Sequence, residues 1–375
     1  MVIKSAQDGC DYWNKSNDLK EAYREKVRKG IKGEELEISI SEIKNFLSNV
    51  IGKTAKAIES AKDKNGNLST YFSHEVTEYE RLEKDKESES GNVLPLKFKR
   101  HDLPQFLEGY VHLLRVIDSN GAKEIYCQVK KGGLFDKELG MYKVNADLSS
   151  QSEEIGRGRI FPPGWLENES VWLHMEYKYL LELLRCGLKK EFFSDFKNCL
   201  IPFQKPERYG RSILENSSFL VSSAHEDKSM HGQGFVARLS GSTAELIHIW
   251  LFMSFGANPF CLNDKKELTL SFDPSLPGWM FTTEESEVVL TAGGSKSKLV
   301  LPESTYAANF LGDTLVVYYN NERRDLITGS KEMIKKIEIF YTKSKKPVVI
   351  NSGVIPEPYS RDIRERKVAR INVFF

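Results

Sequence analysis

A chain of 375 residues with 54 Lys and Arg against 53 Asp and Glu carries almost no net charge. This balance excludes the strongly basic class of nucleic-acid-binding proteins and gives no sign of an acidic tail. The mean hydropathy of -0.43 and the lack of an apolar run near the roughly 18 residues that a membrane helix needs argue against membrane insertion. The start has no hydrophobic signal-peptide segment. Five cysteines without CxxC spacing predict reduced thiols and a cytoplasmic location.

The first two thirds of the chain predict helices. Ser39 and Glu42 form a capping-box pattern. An apolar stripe in the helical period follows it, and it consists of Ile43, Phe46, Leu47, Val50, Ile51 and Ile58. Further helices are predicted over residues 103–117, 164–184, 188–203 and 242–256, and a short helix before Gly132.

The segment GWLENESVWLHMEYKYLLELL, residues 164–184, combines a predicted helix with a polar start. From Trp172 onward its apolar side chains recur at helical spacing. Its opening carries Glu167, Asn168, Glu169 and His174. Two interpretations stay open. These residues complement the helix dipole as a capped start, or they form the rim of a binding site.

The pattern changes near Asn263, where segments begin to alternate in the strand period. These segments are ELTLSFDP, SEVVLTAGG, SKLVLPES, DTLVVYYNN, KIEIFYT and ARINVFF. The sequence therefore predicts an α+β multidomain protein, with a helical portion over residues 1–262 and a β domain over residues 263–375.

Three segments in this order resemble glycoside hydrolase family 94, the cellobiose phosphorylase group. They are WLENESVWLHMEY at 165–177, RLSGSTAELIHIW at 238–250 and LTLSFDPSLPGWMF at 268–281. A fourth, GCDYWNKSND at 9–18, resembles the family's Asp-Trp-Asn-Asp motif. The resemblance implies a partial (α/α)6 toroid, with about half the helices, followed by a C-terminal antiparallel β domain. The first half of the family's barrel has no counterpart here.

The resemblance also implies roles for individual residues. Asp11 is the candidate general acid, although Tyr12 interrupts the motif before its Trp. Glu167 and its neighbour Asn168 are candidate substrate-binding residues, and His174 is a candidate phosphate ligand.

Two further groups complete the predicted site. Ser240 and Gly241 take the place of the family's Thr-Gly phosphate turn, at a predicted helix N-terminus whose dipole attracts an anion. Trp165 and Trp172 offer aromatic faces for a sugar. No metal or organic cofactor is expected, because the histidines of the polar loop 215–235 have no spacing of a standard metal site. That loop is interpreted as lining the substrate or ordering the site.

The implied activity is that of an inverting disaccharide phosphorylase, which cleaves a β-linked glucoside to a sugar 1-phosphate. One carboxylic acid protonates the leaving oxygen while phosphate attacks the opposite face. One alternative is an inverting glycoside hydrolase of the same clan, which needs a second carboxylate to activate water. The other is a non-catalytic carbohydrate-binding or split-enzyme fragment. The expected partners are an oligosaccharide and phosphate, and a homodimer partner or a chain supplying the missing barrel half.

Overall fold

The computed structural model describes residues 6–30, 35–62, 68–81, 93–237, 240–292, 295–342, 344 and 346–375. The chain divides into two compact units, residues 1–106 and 107–375. Its helices are α1 (Ala6–Val27), α2 (Ile40–Ala61), α3 (Leu107–Leu114), α4 (Ser119–Lys131), α5 (Leu173–Arg185), α6 (Lys189–Cys199), α7 (Pro206–Tyr209), α8 (Ser240–Phe255) and α9 (Tyr359–Arg364). Over the described ranges, no helix combines the length and the apolar character needed to cross a membrane.

The strands confirm that the protein is of mixed α and β structure. They are β1 (Phe72–Arg81), β2 (Val93–Asp102), β3 (Phe135–Asp136), β4 (Met141–Tyr142), β5 (Val171–Trp172), β6 (Ser217–Leu220), β7 (Gly234–Ala237), β8 (Phe260–Leu262), β9 (Leu268–Leu270), β10 (Ser286–Ala292), β11 (Ser295–Leu301), β12 (Thr305–Phe310), β13 (Thr314–Tyr319), β14 (Lys336–Tyr341), β15 (Val348–Ile350) and β16 (Val368–Phe374).

In the first unit, α2 begins as its sequence predicts. The Ser39 hydroxyl accepts a hydrogen bond from the Glu42 backbone N–H at 3.2 Å, and the Ser39 N–H donates to the Glu42 carboxylate at 2.9 Å. This reciprocal pair satisfies two donors that a helix start leaves without partners. The capping box is therefore confirmed.

The first unit also contains an antiparallel hairpin, β1–β2, which the sequence reading did not foresee. Its register runs from Phe72 opposite Asp102 to Arg81 opposite Val93, with irregularities around Glu78. Both strands are rich in charged residues and largely exposed, so they lack the apolar alternation by which half-buried strands are identified.

In the second unit, α3, α5 and α8 pack side by side and point in the same direction. Between α3 and α5, Lys178 Nζ lies 3.7 Å from Glu108, and Arg115 just beyond α3 lies 2.8 Å from Glu182. Between α5 and α8, His174 faces Glu245 and Arg185 faces His248, at 3.7 and 3.1 Å. The contacts run in the same order along each pair, so the N-termini of all three helices lie at one end.

A second helical layer, α4 and α6, is joined to α5 by a buried polar network. Asp195 of α6 accepts hydrogen bonds from Tyr142 at 2.5 Å and Tyr126 at 3.1 Å, and it pairs with Lys130 of α4. Beside it, the Glu176 carboxyl of α5 accepts the Tyr142 backbone N–H at 2.9 Å. Burial raises the pKa of Glu176 to about 8, since a charge in the apolar interior loses its hydration.

The C-terminal strands form a five-stranded sheet in the order β12-β13-β16-β14-β15. Each of the six segments predicted as strands contains one. The predicted antiparallel arrangement is wrong for one ladder, because β13 and β16 run parallel from Leu315 opposite Arg370 to Tyr319 opposite Phe374. Parallel neighbours require a long crossover, and here the chain between them includes β14, β15 and α9.

The segment 268–281 joins the helices to this sheet. The Gly278 N–H donates to the Asp325 carboxylate at 2.7 Å, and a Cβ at Gly278 would overlap the Arg323 carbonyl oxygen. The next residue, Trp279, receives the Lys197 ammonium on its ring face at 3.9 Å. This segment therefore has a structural role at the junction. The predicted boundary between residues 262 and 263 falls inside the second unit and stays a prediction.

Candidate functional site

The polar opening of α5 does not cap the helix. Trp172 is the N-cap residue, and its side chain makes no capping hydrogen bond within the described structure. The polar residues lie in the turn before it, where Leu166 and Glu169 have left-handed φ angles of 47° and 57°. Such a conformation costs of order 1–3 kcal/mol for each non-glycine residue. The capped-start interpretation is therefore wrong for Glu167, Asn168 and Glu169.

Hydrogen bonds from all sides hold this turn in its strained shape. The Trp172 indole N–H donates to the Leu166 carbonyl at 2.8 Å, and the Asn168 amide donates to the Phe161 carbonyl at 2.7 Å. The Glu169 N–H donates to Asn145 at 2.7 Å, and its carboxylate pairs with Lys143 at 2.6 Å. Strain that its surroundings maintain in this way is concentrated at functional sites in proteins.

Two acceptor oxygens in the same turn are buried without a hydrogen-bond partner among the described residues. One is Oε2 of Glu167, and the other carboxylate oxygen of this residue pairs with Arg157. The second is Oδ1 of Asn168, a residue that is only 3% exposed. A buried acceptor without a donor costs about 1–3 kcal/mol. Because both oxygens are closed off from solvent, they mark the polar character of the turn and are not themselves open to a ligand.

The two predicted tryptophans belong to one aromatic cluster on the sheet β5–β6–β7. The ring centre of Trp165 lies 5.2 Å from that of Phe219 and 4.7 Å from that of Phe235, while Trp172 stacks on Phe219 at 6.0 Å. All except Phe219 are partly exposed. We therefore name Trp165, Trp172, Phe219 and Phe235 the aromatic cluster, a surface on which the apolar face of a sugar ring can stack.

The structure brings His174 and Gly241 into contact, although 66 residues separate them along the chain. Gly241 lies in the first turn of α8, and a Cβ placed on it would stand 2.9 Å from Nδ1 of His174. Glycine therefore allows the imidazole to reach the N-terminal turn of α8. The backbone N–H groups of such a turn attract an anion.

Neighbouring side chains fix the start of α8 against α5. Asn216 donates to the Thr243 hydroxyl at 3.2 Å and accepts a hydrogen bond from Tyr177 of α5 at 3.2 Å. Ser242 is fully buried. Ser240 is the first residue of α8, but its side chain lies outside the described part of the structure, so its predicted phosphate contact stays a prediction.

The surroundings of His174 favour its neutral form. Burial lowers the pKa of His174, and the positive charge of Lys178 lowers it further, while Glu245 and Glu108 act in the opposite direction without reversing the shift. A neutral imidazole still donates one hydrogen bond. It supplies no full positive charge to a bound anion.

Hydrogen bonds attach the polar loop 215–235 to the β3–β4 segment, and its predicted role in lining or ordering the site stays a prediction. Asp136 accepts hydrogen bonds from the Ser223 N–H and hydroxyl at 2.7 and 2.8 Å. The buried His231 ring lies 3.0 Å from the Glu138 carboxylate and 2.8 Å from the His225 carbonyl. Burial lowers the pKa of His231, but these two hydrogen bonds and the charges of Glu138 and Asp136 together outweigh burial and leave the pKa above its ordinary value. In the chain as described, no group of three or more His, Cys, Asp or Glu residues could hold a metal ion.

Asp11 is the one predicted site residue that lies in the first unit. It stands on the exposed surface of α1, where its carboxylate accepts a hydrogen bond from Gln7 at 2.8 Å. The role of Asp11 as general acid stays a prediction.

No known family model matches the chain, and no curated protein is significantly similar to it in sequence. The resemblance to glycoside hydrolase family 94 therefore depends on the quoted motifs. The sequence reading missed Phe219, Phe235, Asn216 and Lys178 as members of the site. Lys178 was detectable, because a residue four positions after His174 lies on the same face of a helix.

Proposed function

We propose that this chain is the C-terminal portion of an inverting disaccharide phosphorylase that cleaves a β-linked glucoside to a sugar 1-phosphate. The observation that carries the proposal is the contact between His174 and Gly241 at the start of α8. Two segments that resemble separate parts of one phosphate site meet in space. An oligosaccharide would lie against the aromatic cluster, and inorganic phosphate would be the co-substrate without any further cofactor.

The helix arrangement supports the partial (α/α)6 toroid that the resemblance implies. In such a toroid the inner helices run parallel to one another and the outer helices connect them. Here α3, α5 and α8 run parallel, and α4 and α6 lie behind them. The catalytic cavity of such a barrel would lie at the end where these three N-termini meet.

The hydrolase alternative is less well supported than the phosphorylase. A base that activates water must be a carboxylate free to accept a proton. Three carboxylates are candidate bases. Glu167 is paired with Arg157 through one oxygen and Glu169 with Lys143, while Glu215 is an exposed side chain. A phosphate nucleophile needs no such base.

A fragment completed by a partner chain is the second candidate. Two large apolar side chains of α8, Ile247 and Leu251, are about half exposed. Large exposed apolar surfaces mark places where another protein binds. A partner supplying further barrel helices would cover this face and contribute the residues that the phosphate site lacks.

Calorimetric titration with phosphate, then with cellobiose in its presence, tests the proposal. We expect phosphate to bind the wild-type chain and the binding to disappear in His174→Ala. His101→Ala, a histidine of the first unit that pairs with Glu75 at 2.8 Å, is the matched control and should bind phosphate as the wild type does. A folded wild-type chain that binds neither ligand would refute the phosphorylase proposal.

A further inference from the structure

An anion at the start of α8 requires positive charge that neither His174 nor the helix supplies in full. Burial and the charge of Lys178 disfavour a positive charge on His174, and a helix N-terminus provides only about half an elementary charge. Glu245 of α8 lies 3.7 Å from Nε2 of His174 and repels an anion. A cation close to His174 would offset this repulsion.

Lys178 has the position for this role. It follows His174 by four residues in α5, so the two side chains lie on the same face of the helix, roughly 5–6 Å apart at Cβ. Its side chain is 20% exposed, and Nζ lies 3.7 Å from the Glu108 carboxylate of α3. Its charge acts on the His174 imidazole, whose pKa it lowers. The groups that face His174 are therefore Lys178 on its own helix, Glu108 on α3 and Glu245 on α8.

We propose that Lys178 supplies the permanent positive charge for a phosphate-like anion bound at His174 and Gly241, with Glu108 holding its ammonium in place. This inference rests on the proposed function, because it assigns a further residue to the same site. The lysine ammonium adds its attraction for the anion to the hydrogen bond that the His174 imidazole can donate.

If the Lys178–Glu108 pair were only a structural ion pair, removing the lysine would leave phosphate binding unchanged. Lys123 and Glu191 form such a pair at 3.6 Å between α4 and α6, where the lysine side chain is 66% exposed. Exposed pairs of this kind contribute little to stability. Lys123→Met is therefore the matched control for the removal of a lysine from a pair between two neighbouring helices.

Phosphate titrations of four proteins test the assignment: wild type, Lys178→Met, Lys178→Arg and Lys123→Met. We expect Lys178→Met to weaken phosphate binding by about tenfold or more, the effect of losing one hydrogen bond to a charged group. Lys178→Arg should keep most of the affinity, and Lys123→Met should equal the wild type. The pKa of His174, followed by NMR of its imidazole, should rise in Lys178→Met because the repelling cation is gone.

The outcomes separate this inference from the proposed function. If the wild type binds phosphate and Lys178→Met binds it equally well, the role of Lys178 is refuted and the phosphate site stands. If the pKa of His174 is the same in Lys178→Met, the ammonium does not act on the site, and the inference fails on that ground alone. If the folded wild type binds no phosphate, the proposed function fails, and this inference fails with it.

Discussion

The two helices α2 and α5 show how one sequence pattern leads to different structural roles. Both begin with serine, glutamate or asparagine residues before a run of apolar positions. In α2 these polar residues satisfy the helix start through the Ser39–Glu42 capping box. In α5 the N-cap is Trp172, and the polar residues form a separate strained turn with two unpartnered buried oxygens. The polar residues before α5 therefore remain candidates for ligand binding, whereas those before α2 have a structural role.

The apolar faces of the same helices differ as well. In α5 the face is packed between α3, α6 and α8, and Leu180 and Tyr177 are fully buried. None of the residues Ile40–Ala61 of α2 is buried in the described structure, and Leu47 is 51% exposed. Amphipathic periodicity therefore predicts that a helix forms, whereas burial depends on which other elements reach its apolar face.

The largest expected difference between the helices comes from removing one leucine from each. Leu180→Ala should lower the free energy of unfolding of the second unit by about 2–5 kcal/mol, because it leaves a cavity in a packed core. Leu47→Ala should change stability by no more than about 0.5 kcal/mol, as expected for an exposed position. Urea unfolding followed by tryptophan fluorescence and by far-ultraviolet circular dichroism measures both. Equal losses in the two variants would show that the face of α2 is buried in solution.

The first-turn glutamates should respond to pH in opposite directions. The folded-state pKa of Glu176 is raised to about 8, so its contribution to stability is complete below about pH 4.5 and is lost as the pH rises toward 8. Wild-type stability should therefore fall relative to Glu176→Gln by up to about 1.4 kcal/mol per pH unit in this window. Denaturant unfolding of both proteins at pH 5.5, 6.5 and 7.5 measures the difference.

Glu42 provides the comparison in α2. Its hydrogen bonds with Ser39 lower the pKa of Glu42, so its contribution is present above the unfolded pKa and is lost as the pH falls through the folded value. Relative to Glu42→Gln, the wild-type helix should therefore lose stability on acidification. A Glu176→Gln difference that stays constant with pH would mean that the carboxyl is hydrated in solution.

Small effects on stability are expected for substitutions in the segments where the two helices begin. Ser39→Ala should destabilise α2 by about 0.5–2 kcal/mol through loss of the cap, seen as faster hydrogen exchange at the start of the helix. Glu167→Gln should change stability by no more than about 1 kcal/mol, because its partner Arg157 is an exposed side chain. It should nevertheless weaken sugar binding, measured by calorimetry with cellobiose. A large loss of stability with unchanged binding would assign Glu167 to the fold alone.

Local patterns predicted much of the secondary structure. The Ser39–Glu42 box, the helices around 172–184 and 242–256 and the six C-terminal strands all follow from periodicity and capping, which depend on neighbours in sequence. The β1–β2 hairpin and the parallel β13–β16 ladder were not foreseen. They depend on pairing between distant segments, which local periodicity does not determine.

In the candidate site, too, some residues could be predicted from the sequence and others could not. The motifs predicted His174 and Gly241, and the structure brings them together. The aromatic partners Phe219 and Phe235 were missed because β6 and β7 are short strands in a polar loop region. The Lys178–Glu108 pair joins two helices, so only the packing of α3 on α5 reveals it.

The central claim is that His174 and the start of α8 form one anion site. The most direct test is a phosphate titration of the folded chain followed by NMR of the histidine imidazoles. We expect the His174 resonance to shift and saturate with phosphate, while that of His101 remains in place. A His174 resonance that does not move at saturating phosphate would contradict the claim.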